Sequence, residues 1–204
     1  MWRSGIDRKI NRLRFAALAI FLASPGMATA EPLTANGLQF SDENGGFRIV
    51  SLSGTGHRND PFVLVEEITE DRPAVLVIRG LSQRSGAADN LSSFSSFSLV
   101  KVVINKTGRS WSGFDHELRE AMDQPSGYMD GLSFDQPQVG PRPFVSDRFQ
   151  VANEVREPHD TLRYRDGAVA AGQTVRFSLF ITDPTPRHEF FLIQRPFWPV
   201  AWLR

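Results

Sequence analysis

The chain has 204 residues, with 23 Lys+Arg against 23 Asp+Glu, four His and no Cys. The missing Cys exclude disulfide scaffolds, Cys-ligated zinc, iron–sulfur clusters and thiol nucleophiles. No nucleophile elbow or phosphate loop occurs either: Ser53-Gly54-Thr55-Gly56-His57 has the glycines but neither a Lys nor a following helix, and reads as a loop.

Read from the N-terminus, Arg3, Arg8, Lys9, Arg12 and Arg14 precede an apolar run at 15–23, then the breaker Pro25-Gly26 and the small residues Ala28 and Ala30. This is the three-part pattern of a signal peptide over residues 1–30, with an apolar run well short of the roughly 20 residues a membrane span needs. Cleavage is expected to leave Glu31 first and to place the chain in the periplasm or outside the cell. Of the 23 basic and 23 acidic residues, loss of those five cations and Asp7 leaves 18 and 22, a formal charge of −4 over residues 31–204. A mildly acidic chain whose remaining lysines are Lys101 and Lys106 lacks the clustered cations of a nucleic-acid binder. No transmembrane segment is expected in the mature chain, and its size suffices for one core without covalent staples.

After residue 30, short runs rich in Val, Ile, Phe and Thr recur between Gly, Pro, Asn and Asp clusters, which is an all-β rhythm. Strands are predicted at 37–40, 47–52, 62–68, 74–78, 94–105, 132–135, 144–151, 161–165, 174–182 and 189–194. In the long run before Asn105, Phe97 and Leu99 face inward, with a register change expected near Lys101. Residues 113–123 fit either a strand or about three helical turns, and a strand through Leu118 followed by a short helical turn is preferred. Asp166-Gly167 suits a tight hairpin turn, and a second turn at Ala171-Gly172 feeds a strand with Val175, Phe177, Leu179 and Ile181 on its buried face.

Many short strands with regular turn signals predict an antiparallel two-layer β-sandwich, Ig-like or jelly-roll-like, as one domain over 31–194. Runs this short argue against an outer-membrane barrel. A Pro/Trp-rich tail at 195–204, with Trp198 and Trp202, is expected to cap the sandwich or to dock on a partner or lipid surface.

Four stretches carry a resemblance: Asn105-Lys106-Thr107-Gly108-Arg109-Ser110-Trp111-Ser112-Gly113-Phe114-Asp115-His116-Glu117-Leu118, Asp130-Gly131-Leu132-Ser133-Phe134, Ser146-Asp147-Arg148-Phe149 and Asp166-Gly167-Ala168-Val169. In these the chain resembles exported bacterial β-sandwich proteins of the type associated with PEP-CTERM sorting tails. The resemblance implies a sandwich fold without shared catalytic residues. The sorting tail itself is not matched, because residues 195–204 are short and broken by Pro196 and Pro199.

His57, His116, His159 and His188 lie in separate segments without ligand spacing. Trp111 and Phe114 form a sugar-stacking platform if exposed and a plug between the sheets if buried, with Glu117 nearby as a polar contact. Asp130 and Asp135 are the candidate start of a calcium site, although the spacing of an EF-hand is absent. Glu66 and Glu117 serve as a glycosidase acid and base only if their strands share one sheet face. Together these readings predict an exported, non-catalytic binding or structural component with a glycan or envelope protein as partner. A carbohydrate-active hydrolase on the same scaffold is the alternative.

Overall fold

Alternation of inward and outward side chains decides the architecture. The computed structural model describes residues 31–83, 95–134, 144–156 and 158–199. In chain order the strands are β1 (Leu33–Ala35), β2 (Leu38–Ser41), β3 (Phe47–Ser53), β4 (Phe62–Ile68), β5 (Ala74–Arg79), β6 (Ser95–Asn105), β7 (Gly113–Arg119), β8 (Ser133–Phe134), β9 (Val145–Ser146), β10 (Phe149–Val155), β11 (Thr161–Gly167), β12 (Thr174–Asp183) and β13 (Glu189–Phe197). Short 3-10 turns at Leu81–Gln83 and Tyr128–Asp130 are the only helical geometry among the described residues.

The strands form two sheets, a seven-stranded one in the order β1-β2-β5-β13-β7-β11-β10 and a smaller one in the order β3-β4-β6-β12-β8, with β9 also paired to β12. Their inner faces pack on each other as an all-β sandwich. Among the described residues every strand pairing is antiparallel except β4 with β6, which run parallel in register from Phe62 opposite Leu99 to Ile68 opposite Asn105. That exception follows from the path of the chain, which leaves β4, forms β5 in the larger sheet and returns as β6.

The core draws on both sheets. Phe62, Leu64 and Ile68 of β4, Phe97, Leu99 and Val103 of β6, and Val175, Phe177, Leu179 and Ile181 of β12 face Leu76, Ile78, Phe114, Leu118, Leu162, Tyr164, Phe190 and Leu192 of the larger sheet. Phe40, Phe62 and Phe97 meet edge to face with centroids 5.4–6.4 Å apart, a favoured aromatic geometry.

Several sequence expectations need correction. β6 keeps one alternation along its whole length, so no register change occurs near Lys101 and that side chain points into the core. Asp166 does adopt positive φ, at 56°, yet β11 continues through Gly167, which pairs with Phe149 of β10. A Cβ at Gly167 would stand 2.0 Å from the Arg148 carbonyl oxygen, so close strand approach explains this glycine. The chain reverses at Ala170–Gln173, the expected Ala171-Gly172 turn, where the Gln173 N–H donates to the Ala170 carbonyl at 3.0 Å. Residues 113–119 are strand, as preferred, but a tight turn at Ala121–Gln124 replaces the helical turn. β13 extends to Phe197, three residues past the expected end of the domain.

The Asn105–Trp111 turn is locked from within. Asn105 Nδ2 donates to the carbonyls of Arg109 (2.6 Å) and Val169 (3.0 Å). Its Oδ1 accepts from the N–H and the hydroxyl of Thr107, and that hydroxyl oxygen accepts from Trp111 Nε1 at 3.2 Å.

Candidate functional site

The two central strands of the smaller sheet each place one charge on their inward face. Inward positions of β4 read Phe62, Leu64, Glu66, Ile68; those of β6 read Ser95, Phe97, Leu99, Lys101, Val103, Asn105. Glu66 stands opposite Val103 and Lys101 opposite Leu64, one diagonal step apart on parallel neighbours. From the other sheet β13 contributes Gln194, whose register partners are Ala74 on β5 and His116 on β7.

These side chains meet in the middle of the sandwich. Lys101 Nζ donates to Glu66 Oε2 at 2.8 Å and to Gln194 Oε1 at 2.5 Å, and Gln194 Nε2 donates to the same Glu66 Oε2 at 3.4 Å. All three residues, and His116, have 0% exposure. Around them lie the rings of Phe114, Tyr164 and Phe177, with His116 centred 4.8–5.7 Å from each. Glu66 Oε1, both His116 ring nitrogens and the Tyr164 hydroxyl have no protein hydrogen-bond partner.

Burial governs the electrostatics. Loss of water pushes the Lys101 pKa down from 10.5, against the opposing pull of Glu66. His116 is driven well below 6.5 by burial first and by the Lys101 charge second, so its imidazole is neutral. Burial likewise raises the Tyr164 phenol above 10.0. An enclosed ion pair is weak evidence for stability in itself, because desolvation of both charges offsets their attraction. What distinguishes this one is a carboxamide held against the amine by a carboxylate that touches both.

The opposite face of the larger sheet carries a separate charge array. Asp115, Glu117 and Arg119 of β7 point away from the core, since Phe114, His116 and Leu118 point inward. Glu117 accepts from Arg119 Nε at 2.6 Å and pairs with Arg195 Nη1, while Asp115 accepts from Arg165 Nη1 at 2.6 Å. Burial acts to raise the Glu117 pKa, but the hydrogen bonds from Arg195 and Arg119 outweigh it and leave it below 4.5. The Arg165 guanidinium also lies over the ring of Phe197, 4.6 Å from its centroid.

Trp111 and Phe114 are core residues with 0% exposure, their rings tilted at 55° with centroids 5.6 Å apart, and offer no open sugar platform. Trp198 is half-buried against the core with Arg109 5.2 Å from its ring centroid. Trp202 and Asp135 lie outside the described residues. Glu66 and Glu117 sit on different sheets, one facing inward and the other outward, so they do not flank one groove as a hydrolase pair must. Asp130 ends the second 3-10 turn, and no group of three or more His, Asp or Glu is placed to hold a metal ion among the described residues.

Asp130 lies in an acidic neighbourhood, where burial first, and its charge in addition, raise the pKa of Asp160, Asp183 and Glu120. Burial pushes the Asp160 carboxyl from 3.8 up to about 7; Ser133 opposes that shift, and the charges of Glu154 and Asp130 add to it.

Lys101, Gln194 and His116 are functional candidates that sequence reasoning missed. A signal for Lys101 was present: its charge and the opposite charge of Glu66 fall at inward positions of two strongly alternating strands. The chain matches no protein-family model, and no curated protein sequence and no solved structure is similar to it. Its class is set by geometry: an all-β sandwich with a polar triad sealed between its sheets.

Proposed function

We propose that this chain is an exported structural or binding component of the cell envelope or extracellular matrix, acting through its surface and not by turnover of an external substrate. The observation that supports this most is enclosure. Glu66, Lys101, Gln194 and His116, the side chains best suited to proton transfer or nucleophilic attack, have 0% exposure and sit where no outside molecule reaches them. The outer carboxylates Asp115 and Glu117 are held by arginines on the face of the larger sheet. That face, with Arg119, Arg165, Arg195 and the partly exposed Phe197, offers planar guanidinium groups and an aromatic ring to a glycan or an envelope protein.

A glycan array probed with residues 31–204, run beside a reducing-end assay on the glycans retained, tests the reading. Retention without release of reducing ends is expected. Release that disappears in Glu117→Gln establishes the hydrolase in its place.

A further inference from the structure

We propose that Lys101 and Gln194 react with each other to form an isopeptide cross-link between the two sheets, with Glu66 carrying the protons and ammonia as the leaving group. This goes beyond the binding or structural reading and does not depend on it.

The geometry is that of a held nucleophile and its target. Nζ lies 2.5 Å from Gln194 Oε1, and with a C=O bond of about 1.23 Å the amide carbon Cδ is at most about 3.7 Å from the amine. That is close to the separation of about 3–3.5 Å at which positioned groups react. Glu66 Oε2 accepts from both Nζ and Nε2, the nitrogen that gives up protons and the nitrogen that receives them. Its other oxygen, Oε1, is buried with no protein partner, which a pair serving only to neutralise charge does not require. Burial also lowers the proton affinity of Nζ, which increases the fraction of free amine. The sealed site keeps out bulk water, which would otherwise compete as a nucleophile.

The step balances without an oxidant or co-reactant. Glu66 takes one proton from the Lys101 ammonium, and the freed amine attacks Cδ, forming the new C–N bond and a tetrahedral intermediate. Glu66 passes that proton to Nε2, then removes a second from Nζ and passes it on in turn. The Cδ–Nε2 bond breaks, nitrogen leaves as ammonium, and Glu66 returns to a carboxylate. Of the three ammonium protons of Lys101, one stays on the new amide and two depart.

The product joins residues 93 positions apart. It would constrain the unfolded chain as a long-loop disulfide does, in a sequence with no Cys.

Mass spectrometry of the folded full chain decides the matter. The intact mass is expected to fall by one ammonia, about 17 Da, relative to the sequence after any N-terminal processing. Tryptic digestion after denaturation is expected to yield residues 85–106, uncut at Lys101, joined to the peptide that begins at His188. Glu66→Gln should keep the full mass of its own sequence, with Lys101 cleaved and the peptide from His188 free. Folded wild-type chain with Lys101 cleaved and both peptides free overturns the proposal, as does an ammonia deficit carried by other residues. A Glu66→Gln variant linked to the same extent overturns the role of Glu66. The wild-type digest reads out the cross-link whether or not the variant folds.

Discussion

Phe177→Ala probes how the two sheets are held at their centre. Phe177 has 0% exposure and its ring lies 4.7 Å from Tyr164, 4.8 Å from Phe114 and from His116, and 6.2 Å from Phe149, so four neighbours from three strands converge on it. Truncating a fully buried Phe to Ala costs about 3–5 kcal/mol through lost transfer energy and the cavity left behind. With a urea slope of about 1–3 kcal/mol per molar, the midpoint should move down by roughly 1–5 M, read from the fluorescence of buried Trp111. A second readout is specific to this site. The cavity adjoins two imidazole nitrogens without partners, which makes it polar enough to admit water. Burial is what holds His116 well below 6.5, so hydration should raise its pKa toward that value. The sign follows: in the wild type the depressed pKa makes stability fall as pH drops below about 6.5, where only the unfolded chain takes up the proton. Phe177→Ala should flatten that fall while lowering stability at every pH. Loss of less than about 1 kcal/mol, or a His116 NMR titration unchanged from the wild type, would refute this account of the core.

Asp160 acts in the opposite sense. Its folded pKa is raised from 3.8 to about 7, so its contribution is fully present below the lower value and is lost as pH rises through the upper one. Asp160→Asn should therefore gain on the wild type between pH 5 and pH 8 in a series of thermal melts, and a constant difference would contradict the assignment. Asn105→Ala leaves the Arg109 and Val169 carbonyls and the Thr107 donors without their shared partner. It should cost about 1–3 kcal/mol by denaturant titration, and a cost near zero would show that water replaces the side chain freely.

Strong alternation and turn chemistry made much of the fold readable in advance. Residues 62–68 were predicted with the bounds β4 has, and the inward set Val175, Phe177, Leu179 and Ile181 is the one β12 buries. The misreadings share a physical origin: a local preference overruled by a distant partner. Lys101 interrupts an apolar face, and a register change is the cheaper explanation until Glu66 and Gln194 are seen to receive the charge. Asp166-Gly167 has hairpin chemistry, but pairing of Gly167 with Phe149 keeps the strand going. Glu66 and Glu117 form an acid and base pair only if their strands share a sheet face, and nothing along the chain reveals that those strands belong to different layers. Trp111 was open to either reading until the Asn105 turn tucked it between the sheets.

The parallel contact between β4 and β6 has a kinetic consequence. A hairpin zips from its own turn, but this ladder cannot start until the excursion through β5 is complete, and β6 must then wait for β12, synthesised some seventy residues later, to cover its other edge. Non-local closure of this kind puts refolding in the range of milliseconds to seconds. In that interval the apolar ribbon of β6 stands with an open border, so recovery from denaturant should decline steeply as protein concentration rises.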